Sequence, residues 1–163
     1  MPDDYTWFLA HYGGGEIDPS MVIVVPDELK TTDADQEMGQ ETGTAHLTWQ
    51  MEGGIPGVTD VPPPVLSWGV DHAPTLLCWL TIENDPNQWP VVTFNHGFLK
   101  WEIHSCGMVE FLIRVLRGEG PEDPLHGSPL WAAGTARFLN RHEASRLRSA
   151  GIDPHTGQEF NFG

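Results

Sequence analysis

The sequence predicts an α+β fold in which one antiparallel sheet carries helices packed mainly on one of its sides. A short helix with an apolar stripe opens the chain, several short apolar strands follow closely, and helical periodicity returns only after them. Strands joined by such short connections pair antiparallel. A chain of 163 residues with 39% apolar content can bury one core but not comfortably two. We therefore expect one domain.

The opening stretch predicts a helix from Tyr5 to Tyr12. Acidic residues precede it, and apolar side chains recur at helical spacing through it. Gly13 follows where a helix ends in a left-handed residue, so we expect a positive φ at Gly13 or Gly14. The run of three glycines is not a phosphate-binding loop, because no strand precedes it and no lysine follows it.

The next segments predict strands separated by loops. Residues 21–25 form a β-branched run typical of a buried strand. Residues 26–43 are acidic and contain few large apolar groups, so we expect a mobile loop. Residues 44–51 alternate between apolar and polar side chains, which predicts a half-exposed strand. Its apolar face contains Ala45, Leu47, Trp49 and Met51.

The second half of the chain predicts three more strand regions and two helices. Residues 65–70 and 75–82 are strand candidates, and residues 90–104 indicate a hairpin. We expect Ser105 to cap a helix that ends at Gly118, with Val109, Leu112, Ile113 and Leu116 as its apolar stripe. Asn140 and Glu143 have the spacing of a capping box, which indicates a short basic helix ended by Gly151 and Pro154.

The formal net charge of −15 bounds the classes of partner. The first 110 residues contain most of the acidic residues but only two bases, Lys30 and Lys100. Such a surface repels phosphate backbones and anionic lipid, so we expect no direct nucleic-acid or membrane binding. A basic protein partner and simple solubility both remain open. Without a signal peptide, a spanning segment or a disulfide framework, we expect a cytoplasmic protein.

No complete metal or cofactor motif is present, so we expect neither. The acidic stretch after Thr32 lacks the glycine and closing glutamate of a calcium hand, and the sequence at His142 has Arg146 where a zincin helix needs its second histidine. Cys106 is a candidate nucleophile, because a thiol in the first turn of a helix experiences the helix dipole and His104 is close in sequence. A packed thiol is the alternative. The strand tryptophans are expected in the core.

Three stretches together resemble the SUKH superfamily, which includes the yeast Smi/Knr cell-wall regulator and many bacterial immunity proteins. They are "DDYTWFLAHYGGGEI", "LSWGVDHAPTLLCWL" and "WPVVTFNHGFLKWEIHSCGMVEFLIRVLRG". The positions that carry the family pattern are Gly13, Gly14, Trp89, Pro90, Trp101 and Phe111. The resemblance covers residues 1–118 and implies an α+β domain with a curved antiparallel sheet. Residues 119–163 are expected as a loop and short basic helix packed on or appended to it.

The resemblance implies a protein that binds and neutralises a cognate toxin, such as a basic nuclease or another effector domain, and that is not an enzyme. The expected mechanism is occlusion of the toxin, with electrostatic steering by acidic side chains. The candidate contact residues are Asp33, Asp35, Glu37, Glu41, Glu83 and Asp85. An intracellular regulatory or scaffold domain without a toxin partner is the alternative, and a thiol enzyme that uses Cys106 is the third hypothesis.

Overall fold

The computed structural model describes residues 1–30, 37–73 and 75–161, which form four α-helices and one curved seven-stranded antiparallel sheet. The helices are α1 (Asp3–Tyr12), α2 (Met38–Glu52), α3 (Met108–Arg117) and α4 (Arg141–Ser149). The strands are β1 (Gly15–Ile17), β2 (Met21–Ile23), β3 (Val65–Asp71), β4 (Thr75–Leu80), β5 (Val91–Asn95), β6 (Lys100–His104) and β7 (Phe138–Asn140). Their order across the sheet is β6-β5-β4-β3-β2-β1-β7. The α+β class predicted from the sequence is confirmed.

Strand β4 is buried on both of its faces. Leu77 and Trp79 point into a core formed with α1 and α3, whereas Leu76 and Cys78 point into a second core under α2. All six residues of the strand are buried. A strand with two apolar faces must be covered on both sides, because exposing either face costs roughly 25 cal/mol for each Å² of apolar surface. Two helices therefore share one face of the sheet and α2 covers the other.

Helix α2 stands where the sequence predicted the end of a mobile loop and a strand. Residues 31–36 of the predicted loop at 26–43 lie outside the described residues, and its described part contains a 3₁₀ turn at Asp27–Leu29 and the start of α2 at Met38. The strand predicted at residues 44–51 is wrong. Ala45 and Trp49 are buried at helical spacing, whereas Leu47 and Met51, from the same predicted face, are 60% and 78% exposed. Packing on β3 and β4 selects the helix over a strand.

The glycine run ends α1 and starts the sheet. Gly13 has φ +73°, and its N–H donates to the carbonyl of Leu9. The positive φ expected from the sequence is confirmed at this residue. Gly15 pairs with β2 on one side and β7 on the other, and a Cβ at Gly15 would lie 2.2 Å from the carbonyl oxygen of Leu139. Only glycine permits this approach of β7.

Helix α3 receives its cap from α1 and not from Ser105. Gly107 is the N-cap residue, and it has no side chain that could accept a hydrogen bond from the first turn. An oxygen of Asp4 accepts a hydrogen bond from Val109 N at 3.0 Å instead. The helix ends at Gly118 in the left-handed conformation, as predicted. Of the predicted apolar stripe, Leu112 is buried, but Ile113 is exposed, because Met108, Phe111 and Val115 turn to the core in its place.

The segment that follows α3 completes the same core. Leu125 and Leu130 are buried in the cluster formed by α1, α3 and the sheet. The Ser128 hydroxyl donates to Asp71, at the end of β3, over 3.0 Å. Strand β7 then joins β1, a pairing that the sequence did not indicate, and the Asn140 side chain caps α4 as predicted.

We predict that Asp4→Ala lowers the free energy of unfolding by about 1 kcal/mol, because α3 loses its only side-chain acceptor within the described part of the chain. Urea unfolding measures the change. Asp3→Ala is the matched control, since this exposed neighbour contacts only Asn87 through its side chain in the described structure and should cost a few tenths of that amount. Equal losses in the two variants would contradict the capping role.

Candidate functional site

Of the six acidic residues predicted to contact a partner, the four described ones belong to two different elements. Asp33 and Asp35 fall outside the described residues. Glu37 and Glu41 stand at the N-terminal end of α2, where Glu37 forms an ion pair with Lys30. Glu83 and Asp85 lie in the connection between β4 and β5. The two described pairs thus stand on different elements, where Glu37 pairs with Lys30, Asp85 accepts from Asn87 N and the Glu83 carbonyl accepts from Trp89.

The connection between β4 and β5 is fixed in place by its own polar groups. Asp85 accepts a hydrogen bond from Asn87 N at 2.9 Å and caps a 3₁₀ turn. Asn87 in turn exchanges hydrogen bonds with the main chain and side chain of Asp3, at 2.8 and 3.1 Å. Glu83 is exposed, and its carbonyl accepts a hydrogen bond from the indole of Trp89 at 2.7 Å. The Glu83 carboxylate therefore lies on a connection that other residues hold in place.

The residues on which the SUKH resemblance rests make packing or main-chain contacts within the fold. Trp89 packs its ring against Trp79, and the carbonyl of Pro90 accepts a hydrogen bond from Leu80. Phe111 is buried between α3 and the sheet. Trp101 lies on β6, not wholly buried, and packs against Phe94 and Trp49. Trp49 itself is on α2 and not on a strand as expected, although it does pack in a core.

Cys106 does not have the environment of an activated nucleophile. It lies two residues before the start of α3, so the prediction that it stands in the first helical turn is wrong. The residue is 9% exposed, and burial raises the pKa of its thiol, a shift that nearby Arg114 only partly opposes. Burial also lowers the pKa of His104, whose Nε2 lies 3.0 Å from the Thr93 hydroxyl. No hydrogen bond joins the thiol to this imidazole in the described residues.

Two recesses meet beside β6, the last strand of the sheet. One has a volume of about 360 Å³ and lies between β6 and the loop at residues 119–126. The other, of about 410 Å³, lies between the β4–β5 connection and the turn that leads into α3. Ile103 and Cys106 line both. The first recess also contains a cluster of acidic side chains, namely Glu102, Glu119, Glu122 and Asp123.

The loop at residues 119–126 is fixed to β6 by polar and aromatic contacts. His126 Nε2 lies 3.0 Å from Glu102 Oε2, and its ring packs against Phe98. Lys100 Nζ lies 3.1 Å from the other oxygen of Glu102. Burial alone would raise the pKa of this carboxyl, but the hydrogen bonds from His126 and Lys100 outweigh burial and hold it below its usual value. Glu102 is therefore ionised at neutral pH.

A separate apolar groove of about 590 Å³ runs between α1, α3 and β7. Trp7 and Tyr12 from α1 and Ile113 from α3 stand partly exposed along it. Its lining offers apolar contact area, whereas the recesses beside β6 combine a strand edge with charged side chains. The β6 region thus has more of the features that determine specificity in recognition.

Sequence reasoning missed the acidic loop beside β6. The stretch "GEGPEDP" at residues 118–124 predicts a loop-rich connection and nothing more. Its glycines, prolines and acidic residues indicate a turn but not its position. The location next to β6 follows from the packing of Leu125 into the core and from the His126 contact with Glu102, both of which depend on the tertiary fold.

The described residues contain no group of three histidine, cysteine or acidic side chains arranged to hold a metal ion. None of the helices in the described part of the chain is long and apolar enough to cross a membrane.

Comparison with known proteins gives no match: no protein family, no curated protein and no solved structure is similar to this chain at a significant level.

We predict that neither thiol reacts readily with iodoacetamide in the folded protein at pH 7.5. Burial raises the pKa of Cys78 to about 12 and raises that of Cys106 as well, so both remain protonated, and the thiolate is the reactive form. Mass spectrometry of labelled protein measures the rates, with protein unfolded in urea as the reference. Labelling of Cys106 at the rate of the unfolded chain would contradict this environment and would favour an activated thiol.

Proposed function

We propose that this chain is an immunity-type protein of the SUKH kind, which binds a cognate protein toxin and blocks the toxin's working surface. The observation that carries the proposal is an acidic surface, fixed to the fold, beside an open strand edge. Glu83 on the β4–β5 connection and Glu119 and Glu122 on the loop beside β6 are exposed. A basic toxin domain is the partner that this charge favours.

The rigid attachment of these acidic groups supports recognition by a preformed surface. The β4–β5 connection is tied to α1 through Asn87, and the loop beside β6 is tied to the sheet through His126 and Leu125. A preformed surface loses little conformational entropy on association, so more of its interaction free energy appears as affinity. An inhibitor that acts by occlusion benefits directly from this property.

The environment of Cys106 favours a binding protein over a thiol enzyme. A nucleophilic thiol needs a lowered pKa or an adjacent base, whereas burial raises the pKa of this thiol and His104 is engaged with Thr93. The order of α1, glycine turn, β5–β6 hairpin and α3 also agrees with the SUKH resemblance. These observations favour the binding role over thiol chemistry. With that role, the protein would act in the cytoplasm of the cell that needs protection from the toxin.

Co-expression with a toxic C-terminal domain of a secreted protein encoded next to this chain tests the proposal. Growth rescue together with a complex of the two purified proteins is the expected result. No rescue and no complex would contradict immunity function. A stable association with cellular enzymes in place of a toxin would favour the regulatory or scaffold alternative.

We predict that the combined substitutions Glu83→Lys, Glu119→Lys and Glu122→Lys reduce the association rate with the toxin domain by about tenfold or more at low salt, since steering by opposite charge is lost. Stopped-flow fluorescence measures the rate. Glu28→Lys, Asp60→Lys and Glu159→Lys together are the matched control, because they change three exposed carboxylates elsewhere and shift the net charge by the same amount. Melting temperature verifies that all variants are folded. An equal effect of the control would show that only net charge matters.

A further inference from the structure

The open edge of β6 has the properties of a docking strand, and we infer that it binds an extended segment of the partner in which apolar and basic residues alternate. The segment would add an eighth strand to the seven-stranded sheet, and its main chain would supply most of the hydrogen bonds. This inference rests on the proposed function and specifies the contact by which the toxin is held.

Main-chain hydrogen bonds establish which groups of β5 face β6. Leu80 N donates to the carbonyl of Pro90, and Val91 N donates to the carbonyl of Cys106, each over 3.0 Å. Pro90 therefore faces β4, and Val91 faces the β6 side. Because successive residues of a strand direct their main-chain groups to opposite sides, the odd-numbered residues of β5 face β6 and the even-numbered ones face β4.

The register of the hairpin then identifies the outward groups of β6. The odd-numbered residues of β5 pair with Lys100, Glu102 and His104, whose N–H and C=O groups consequently face β5. Trp101 and Ile103 direct theirs to the outer edge. In the described ranges no other segment forms a main-chain hydrogen bond to these two residues. The edge thus offers two donors and two acceptors to an added strand.

The two faces beside this edge differ in chemistry. On the α2 face, Trp101 packs against Phe94, and the side chain of Ile103 is 50% exposed. This face gives apolar surface to alternate residues of an added strand. Ile82, also 50% exposed, lines the recess on the side of the β4–β5 connection. Apolar side chains of moderate size on the partner match these positions.

The opposite face is acidic. Glu102 lies there next to the loop that carries Glu119, Glu122 and Asp123. The recess also contains His104, His126 and Arg114, and Arg114 forms an ion pair with Glu110 within α3. Arg117 Nη1 lies 3.5 Å from Glu119 Oε1, so Glu119 is partly neutralised, whereas Glu122 is exposed. Because side chains of a strand alternate between faces, a segment with apolar residues toward Ile103 presents its other residues to these carboxylates. Charge complementarity therefore selects lysine or arginine at the alternate positions.

A second copy of this chain fits the edge poorly. Edge-to-edge pairing of two copies would bring two acidic loops together in a chain whose net charge is already −15. Like charges in such proximity oppose association. The same charge favours a basic segment, so the observations agree on a heterologous partner.

The test uses a peptide of about nine residues, the length of an ordinary strand, in which valine and lysine alternate. Binding to the full chain is measured by fluorescence anisotropy, and amide hydrogen exchange is followed by NMR. We expect binding, with slowed exchange at the N–H groups of Trp101 and Ile103. The N–H groups of Glu102 and His104 face β5 in the free protein and should change little.

Three matched probes make the result specific. A peptide with glutamate in place of lysine, and a valine–lysine peptide N-methylated at alternate residues on its pairing side, should both fail to bind. Glu119→Lys combined with Glu122→Lys should slow peptide association about tenfold or more at low salt. Glu28→Lys combined with Glu159→Lys, at exposed positions on the 3₁₀ turn before α2 and in the C-terminal segment, should not.

Four outcomes would overturn the inference: no binding of the valine–lysine peptide, equal binding of the N-methylated peptide, protection at other amides without Trp101 and Ile103, or self-association of the chain through β6. These outcomes are separate from the growth assay. Rescue by a toxin partner with no peptide effect at β6 would reject the edge and retain immunity function. Peptide pairing at β6 without any toxin rescue would retain the edge and reject immunity function.

Discussion

The double-sided burial of β4 is the constraint on which the rest of the structure depends. Leu77 and Trp79 on one face, and Leu76 and Cys78 on the other, are each buried in a different core. Neither face can be left to water without a large loss of hydrophobic free energy. Helices α1 and α3 therefore pack on one side, α2 packs on the other, and the neighbouring strands extend the sheet outward in both directions.

The two ends of the sheet differ, because β7 covers β1 at one end and β6 is the last strand at the other. At one end, β7 arrives from the distant C-terminal segment, and it can reach β1 only because Gly15 has no side chain. At the other end, β6 is the last strand, and Trp101 and Ile103 direct main-chain groups outward. The acidic loop at residues 119–126 stands beside this second end, so outward main-chain groups and acidic side chains occur together in one place.

How far the sequence predicts this structure depends on how local each determinant is. The end of α1 at Gly13, the β5–β6 hairpin and the cap at Asn140 depend on neighbouring residues, and the sequence reveals them. The sequence does not reveal helix α2, because the alternating apolar pattern of residues 44–51 is typical of a strand. Packing on the sheet, which buries Ala45 and Trp49 at helical spacing, selects the helix. Likewise, Asp4 caps a helix over one hundred residues away, which no local pattern encodes. Composition alone indicates the candidate acidic residues, and the four described ones lie on two different elements, at α2 and between β4 and β5.

We propose that the partner meets this protein along β6 and the acidic segments beside it. Hydrogen–deuterium exchange of the complex with the toxin domain found by growth rescue measures where the two proteins meet. We expect slowed exchange in β6, in the β4–β5 connection and in residues 119–126, with the rest of the sheet unchanged. A footprint confined to α4 and the segment after it, or to the groove between α1 and α3, would show that the partner binds elsewhere.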